Sequence, residues 1–419
     1  DMAESSNTLT LREHGIPIHI GHSADNVTDD ISFVIRTAAV HDDNPEVHEA
    51  HRRGIPVFER TQAWGALMRG YQNALCISGT HGKTTTTSMC THIMMAAEKD
   101  PTVMIGGTLP LLKACHRVGK GNTIIMESCE YYNSFLALNP TIAVVLNIEA
   151  DHLDFFKDLE DIKHSFRCFA ERVPAETGTV IANYDDANTM DALRGIARKV
   201  ITFGLNAKAD VYAQNIVHRG SVSEFDIYHR GNYFARVTLH VPGIHNVRNA
   251  LAATAAAIVL GVSPNAVKYG LAGFEGAGRR FDYKGKFQGA DLYDDYAHHP
   301  SELRALLDAV DTLNYQRSIV VFQPHTYSRT AKLFNDFVEQ RPTIVYLAEI
   351  YAAREKNTIG ISSADLAAQI PGAKFYPTFA EIERELRRIA RPGDIILTVG
   401  AGDVFRIGEH LLQQSDSEN

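Results

Sequence analysis

Between residues 78 and 87 the chain reads Ser78-Gly79-Thr80-His81-Gly82-Lys83-Thr84-Thr85-Thr86-Thr87, and few folds accommodate such a stretch. The apolar run Ala74-Leu75-Cys76-Ile77 before it has the length and composition of a buried strand, and Ser88 to Ala97 after it reads as a helix. Strand, glycine loop, Lys-Thr and helix together set backbone N–H groups and a helix N-terminus around phosphate oxygens. Gly79 and Gly82 have no Cβ, so the backbone can approach a ligand closely there. Lys83 supplies a point charge for the outer phosphates, and the Thr84 hydroxyl is placed to ligate Mg²⁺. Position 77, where the general loop G-x-x-x-x-G-K-[ST] has its first glycine, is Ile, so the motif here is the shorter G-T-x-G-K-T-T. A glycine-rich turn with a chance lysine would share this composition but not its strand and helix flanks. The layout implies binding of a nucleoside triphosphate.

At 419 residues the chain exceeds one ordinary core, which implies two or three domains. A net charge of −9 argues against a nucleic-acid partner, which would require a basic face. Cys76, Cys90, Cys115, Cys129 and Cys168 form no C-x-x-C pair, so reduced thiols in a cytoplasmic protein are expected, with no disulfide framework or zinc site. The most apolar stretch, Ala250 to Leu260, is too short to span a bilayer, and no membrane insertion is expected. No signal-peptide pattern is visible, and Asp1 is not a natural start.

The expected fold class is α/β in three domains. Residues 1–69 read as part of a Rossmann-like unit, with strands at Pro17–Ile20, Ile31–Ile35 and Ile55–Phe58 and a helix over Pro45–Arg53. No opening strand with a G-x-G-x-x-G turn is found in it. Residues 70–277 read as a central phosphate-loop domain with a parallel sheet. Its strands Thr123–Glu127 and Ile142–Asn147 end in polar residues, which should bring Glu127, Glu130, Asn147 and His152 toward the loop. Glu127 suits a metal ligand, and a solvated loop acid would read the same; His152 is equally readable as a ligand or as a structural histidine. Alternation between Asp210 and His240 indicates a small antiparallel patch. Asn246 precedes an alanine-rich helix, Ala250–Leu260, and could cap it. After a Gly/Arg-rich hinge at 275–281, residues 278–419 read as a second Rossmann-like α/β unit. Its strands are expected at 291–295, 317–322, 343–347 and 394–398, and its helices near 301–310, 329–339, 378–390 and 403–412. Two polar stretches there follow strands: Asp294-Asp295-Tyr296-Ala297-His298-His299-Pro300 and Gln323-Pro324-His325-Thr326-Tyr327-Ser328-Arg329.

Together with Asn147-Ile148-Glu149-Ala150-Asp151-His152, His245-Asn246-Val247-Arg248-Asn249 and Arg279-Arg280-Phe281, these motifs resemble the Mur ligase family over essentially the whole chain. The resemblance implies a UDP-sugar-binding domain (1–69, partial), a central ATP-binding domain (70–277) and a mobile C-terminal ligase domain (278–419). It implies ATP and Mg²⁺ as cofactors, UDP-N-acetylmuramate and L-alanine as substrates, and amide formation through an acyl phosphate. It places Gly79, Thr80, His81, Gly82, Lys83, Thr84 and Thr85 around the phosphates, Asn246 and Asn249 near the adenine, and Arg280 and Asp295 on ATP from the third domain. Thr84, Glu127 and His152 are the implied metal ligands. Glu130, His298, His299 and Arg329 are the implied substrate residues, with Lys83, His298 and Arg329 in catalytic roles and Arg329 on the alanine carboxylate. Thr326 departs from the family pattern, since many relatives carry arginine there; the segment Glu127–Ser134 is less acidic than in relatives but keeps both glutamates. A murein-peptide ligase, which joins the same UDP-sugar to a recycled tripeptide, shares most of these motifs. An ATP sensor would not need the His298, His299 and Arg329 stretches.

Overall fold

The computed structural model describes residues 1–37, 40–339 and 344–416. Two compact units emerge, Asp1–Gly70 with Ala137–Asn139, and Tyr71–Leu136 with Pro140–Asn419.

In the first unit, α1 (Ser6–Glu13), β1 (Val34–Arg36), α2 (Pro45–Arg52), β2 (Val57–Glu59) and α3 (Arg60–Met68) follow in order. β1 and β2 pair in parallel, Val34 opposite Val57, joined by α2 as a βαβ crossover. Pro45 starts α2 behind Asn44, whose side chain accepts from the Glu46 N–H, so the helix begins where its sequence signals it. Pro17–Ile20 forms no strand, and helices α1 and α3 arise where none is expected. Both are capped by side chains, Ser5 and Glu59, whose capping boxes carry little hydrophobic periodicity to reveal them.

The second unit contains two sheets. The larger comprises β3 (Asn73–Ser78), β4 (Thr102–Leu109), β5 (Ala114–Arg117), β6 (Thr123–Glu127), β7 (Ile142–Val145), β8 (Thr179–Asn183), β9 (Lys199–Gly204), β10 (Val211–Arg219), β11 (Val222–His229) and β12 (Asn232–Leu239). Their order is β12-β11-β10-β9-β8-β7-β3-β6-β4-β5. β6, β3, β7, β8 and β9 are parallel neighbours, and β3 lies between β6 and β7. The expected antiparallel patch is β10–β12, and it extends the main sheet through a parallel β9–β10 pairing.

Helices α4 (Lys83–Ala96), α5 (Leu159–Glu171), α6 (Ala187–Ala192), α7 (Ile244–Val259) and α8 (Pro264–Ala272) accompany this sheet. α4 starts five residues before the expected Ser88. Its threonines tolerate the helix because Thr87 and Thr91 donate their hydroxyls to the carbonyls of Lys83 and Thr87. Ala250, Ala252, Ala253, Ala255 and Ala256 of α7 are buried, and small side chains let α7 lie close against α4 and the sheet. Asn246 does not cap α7: Gly243 holds that position, and Asn246 instead donates to the Pro242 carbonyl at 2.7 Å.

The smaller sheet holds β13 (Asp282–Phe287), β14 (Ala290–Asp295), β15 (Arg317–Phe322), β16 (Ile344–Leu347), β17 (Lys374–Phe375) and β18 (Asp394–Val399), in the order β13-β14-β18-β15-β16-β17. All but β13 pair in parallel. The expected strand 343–347 is β16, with residue 343 outside the described residues. Ile319, Val321 and Ile396 face one core layer and Val320, Phe322 and Leu397 the other, so both faces are covered and the strands read as unbroken apolar runs. Around it lie α9 (Pro300–Asp311), α10 (Tyr327–Lys332), α11 (Phe334–Val338), α12 (Ser363–Gln369), α13 (Phe379–Ile389) and α14 (Phe405–Asp416). The single helix expected at 329–339 is two, broken at Leu333 (φ −106°, ψ 19°). All five cysteines are free, and among the described residues no helix is long and apolar enough to cross a membrane.

Candidate active site

β3 ends at Ser78, and Gly79 (φ 146°) and Gly82 (φ 82°) turn the chain into α4. A Cβ on Gly82 would stand 2.7 Å from Asn249 Oδ1, and one on Gly79 2.8 Å from Leu146 Cβ, so neither position has room for a side chain. Asn147 pins the loop: its carbonyl accepts from Thr80 N, its Oδ1 accepts from His81 N at 2.8 Å, and its Nδ2 donates to His81 O at 3.1 Å. No side chain caps α4, a helix start suited to an anion. Lys83 Nζ folds back to donate to Gly79 O (2.5 Å), Thr80 O (3.1 Å) and the Glu130 carboxylate (2.9 and 3.2 Å). Burial by itself would lower the Lys83 pKa; the carboxylate of Glu130 outweighs it and the pKa is raised, so the ammonium is firmly charged.

At the next residue of α4, Thr84 Oγ1 donates to Glu127 Oε1 at 3.0 Å, at the end of β6. Gly106 N donates to Glu127 Oε2 at 2.6 Å, and a Cβ on Gly106 would lie 2.4 Å from Oε1, so the strand beside Glu127 is shaped around its carboxylate. Two hard oxygen donors held together here fit a divalent cation such as Mg²⁺. His152, expected with them, stands with its Nε2 3.7 Å from Glu130 and 3.8 Å from Asp151. Burial lowers its pKa, favouring the neutral imidazole that can ligate a metal.

On the other side of the loop opens a cavity of about 320 Å³. It is lined by His81, Gly82, Thr85, Asn246, Asn249, Arg280 and Asp295 from the expected nucleotide set, whereas Gly79, Thr80, Lys83 and Thr84 are not in its lining. This volume lies in the range of small-ligand pockets. Asn249 Nδ2 donates to Asn246 Oδ1 at 3.2 Å. Asp295 is buried at the end of β14 and accepts from the N–H groups of Ala297 (2.8 Å) and Phe281 (2.7 Å); burial raises its pKa to about 6.

A charged cluster borders this cavity. His81 lies 3.3 Å from Glu149 through Nε2 and 3.3 Å from Glu302 through Nδ1. Glu302 also pairs with Arg280 at 3.5 Å, and Ser301 donates to Glu149 at 2.5 Å. Burial works to lower the His81 pKa, but the two glutamates reverse this and raise it to about 9. The ligating atoms of His81, Glu149 and His299 lie within 4.8 Å of one another, and the two glutamates beside His81 favour its protonated form. A histidine whose folded pKa is raised adds stability that is complete below its unfolded value near 6.5 and disappears as pH rises through about 9. His81→Asn is therefore expected to lower Tm most at pH 6 and below, with the gap to the parent closing above pH 9. A gap independent of pH over this window would show that His81 is not charged in the folded protein.

The last group comes from the smaller sheet. Arg329, on α10 after β15, donates Nε (3.1 Å) and Nη2 (2.9 Å) to one oxygen of Asp151, and its Nη1 approaches His325 Nδ1 at 3.1 Å. Both members of the ion pair are about nine-tenths buried. Burial alone would raise the Asp151 pKa; the guanidinium holds it well below the ordinary range. Thr326 caps α10 from a left-handed conformation (φ 66°), and its hydroxyl accepts from the Arg329 N–H. His298 places Nδ1 2.9 Å from the Tyr296 carbonyl, and burial lowers its pKa to about 3. His299 is the N-cap of α9 and is buried; its Nε2 has no hydrogen-bond partner among the described residues.

His152 thus stands between two ion pairs, Lys83–Glu130 on the phosphate-loop side and Arg329–Asp151 on the side of the smaller sheet. Sequence reasoning assigned no role to Asp151, Glu149 or Glu302. The first two lie in the acid-rich Ile148–Asp154 stretch, and Glu302 sits three residues after the His299 cap, a capping-box spacing that could have flagged it.

Three family models match: "Mur ligase family, catalytic domain" over residues 1–72, "Mur ligase middle domain" over 77–257, and "Mur ligase, glutamate ligase domain" over 279–402. The chain belongs to the Mur ligase family. It is similar to the UDP-N-acetylmuramate–L-alanine ligase of Agathobacter rectalis, at 45% identity covering 99% of this chain and 92% of that one. The crystal structure of UDP-N-acetylmuramate-alanine ligase from Thermotoga maritima matches with a TM-score of 0.82 at 27% identity, covering 100% of this chain and 93% of that chain. A murein peptide ligase from Psychrobacter arcticus, at 21% identity and a TM-score of 0.69 over 97% of this chain and 90% of that one, shares the fold.

Proposed function

We propose that this protein joins the amine of L-alanine to the lactyl carboxylate of UDP-N-acetylmuramate, converting ATP to ADP and phosphate, in the cytoplasm. The blocks 1–69, 70–277 and 278–419 serve as UDP-sugar, ATP and amino-acid domains in this reading. One observation carries it: the phosphate-loop lysine at the start of α4 and Arg329 of α10 approach the same histidine through their partners Glu130 and Asp151. The carboxylate and the triphosphate repel each other, so bringing them together requires fixed positive charge, and Lys83 with the α4 N-terminus supplies it. Mg²⁺ held by Thr84 and Glu127, with His152 beside them, would offset the remaining phosphate charge. The lactyl carboxylate takes the γ-phosphoryl group to give an acyl phosphate; the alanine amine then attacks that carbonyl and phosphate leaves. Arg329 orients alanine by its carboxylate, which requires the guanidinium to exchange part of its hold on Asp151 for the substrate. His298, neutral at pH 7 and held by its Nδ1 against the Tyr296 carbonyl, orients the reacting groups by hydrogen bonding rather than as a proton acceptor. Asn246 and Asn249 offer amide groups to the adenine, with Arg280 and Asp295 closing the cavity from the third domain.

The test is phosphate release with UDP-N-acetylmuramate, ATP and Mg²⁺, with and without L-alanine. Release that requires L-alanine is expected, along with a product heavier by one alanyl residue. Release that requires the tripeptide and ignores L-alanine would instead make the protein a murein-peptide ligase, and release that needs no acceptor would make it an ATPase.

A further inference from the structure

One cluster beside the two ion pairs has no part in the reaction as set out above. Tyr131 and Tyr132 follow Glu130 directly, and Phe155 lies three residues past His152. Tyr131 stacks on the His152 ring with centroids 4.3 Å apart and planes 20° from parallel. Tyr132 leans on Tyr131 at 4.3 Å and on Phe155 at 4.9 Å, and the Tyr131 hydroxyl donates to Asp154 at 2.5 Å. These rings are not buried: Tyr132 is 59% exposed and Phe155 37%.

The backbone under them is strained. Tyr132 (φ 53°, ψ 25°), Asn133 (φ 55°, ψ 24°) and His152 (φ 51°) all adopt the left-handed conformation, which a bulky aromatic residue avoids. Local bonds hold it in place: Asn133 N donates to Glu130 O, Phe135 N to Cys129 O, and the Ser165 hydroxyl to Asn133 Oδ1. Glycine or asparagine would occupy position 132 with less strain, so a tyrosine there fixes an exposed ring at a set angle at some conformational cost. Such strain concentrates where a ligand is held.

We propose that Tyr131, Tyr132 and Phe155 form a platform for the pyranose ring of the muramoyl substrate. The inference rests on the proposed function. In that substrate the reacting carboxylate hangs from the sugar by one ether oxygen and one carbon, so when it meets Lys83 the pyranose must lie beside the Lys83–Glu130–His152 group. The platform begins at the residue after Glu130, and its first ring stacks on His152. Aromatic faces carry negative potential and the pyranose C–H face is weakly positive, so the two stack without a charged partner.

Tyr132→Asn removes the ring and keeps a residue that tolerates the left-handed backbone; Phe155→Ala removes the second exposed ring. Calorimetric Kd values of the full chain for UDP-N-acetylmuramate and for UDP are compared, with KM for ATP and L-alanine and with Tm. Each variant is expected to weaken UDP-N-acetylmuramate binding about 3- to 10-fold, the range typical of one aromatic contact. UDP affinity and both KM values stay unchanged, Tm of Tyr132→Asn does not fall, and Tyr132→Phe binds as the parent does. Unchanged sugar-nucleotide affinity overturns the platform, and an equal loss for UDP shows that the rings hold the nucleoside instead. A parent protein that binds UDP-N-acetylmuramate but never uses L-alanine overturns the proposed function alone, since the binding comparison still decides the platform; no binding by the parent overturns both.

Discussion

Lys83→Ala is expected to abolish turnover and to destabilise the protein at the same time. The loss of rate follows from removing the fixed charge at the phosphates, at least roughly 10²–10³-fold by analogy with deleting a donor to developing charge. The loss of stability follows from Glu130, which is 2% exposed and takes two hydrogen bonds from the Lys83 ammonium. Breaking a buried ion pair by removing one partner costs about 3–5 kcal/mol, because the remaining charge is left without compensation. The two effects separate in the double variant Lys83→Ala/Glu130→Gln, where a neutral amide replaces the stranded carboxylate. Its Tm should recover most of the loss while turnover stays absent. Turnover of Lys83→Ala within about tenfold of the parent would remove Lys83 from the phosphates. Recovery of both properties in the double variant would mean that its role is only to neutralise Glu130.

Arg329→Ala is expected to lower kcat/KM for L-alanine by about 10²–10³-fold while leaving KM for ATP within a factor of two or so, the range for truncating one partner of a buried, hydrogen-bonded charge pair. It strands Asp151 as Lys83→Ala strands Glu130, so Tm should fall as well. Asp151→Asn is the informative companion. It keeps a carbonyl oxygen for the guanidinium and removes the competing charge, so Arg329 is freer to take a substrate carboxylate. KM for L-alanine should then be unchanged or lower, with Tm reduced. If Arg329 served only to tie the smaller sheet to the Ile148–Asp154 loop, both variants would alter kcat and every KM together, and the carboxylate assignment would fail.

Glu130 is among the residues the sequence brings toward the loop, and it pairs with Lys83 there; the second expectation depends on a partner, Asp151, that sequence reasoning did not supply. Glu127 and Thr84 were legible because a strand end and a helix start have defined positions on either side of a phosphate loop, and the structure brings them to 3.0 Å. The partnership of Asp151 with Arg329 joins residues 178 positions apart, and nothing in the local pattern of either marks the other. The same reason explains the elements that were missed. Strands such as β3, β15 and β18 are buried on both faces and stand out as apolar runs. β13, half exposed at a sheet edge, and α1, with a weak apolar face, leave little periodicity to read. The early start of α4 was hidden because four consecutive threonines read as poor helix formers, although the last of them, Thr87, satisfies its hydroxyl along the helix itself.

The sequence by itself determined the α/β class, the phosphate loop and its lysine, the order of the sheets along the chain, and the polar stretches that end their strands. These features are local: each depends on residue type and spacing within a dozen positions. Only the tertiary structure decided that Lys83 and Arg329 face one histidine through Glu130 and Asp151, that His81 is clasped by Glu149 of the loop after β7 and Glu302 of α9, and that Tyr132 holds an exposed ring on a strained backbone. These are set by distances between residues far apart in sequence and by how completely each charge is taken out of water, quantities that a linear pattern of residue types does not contain.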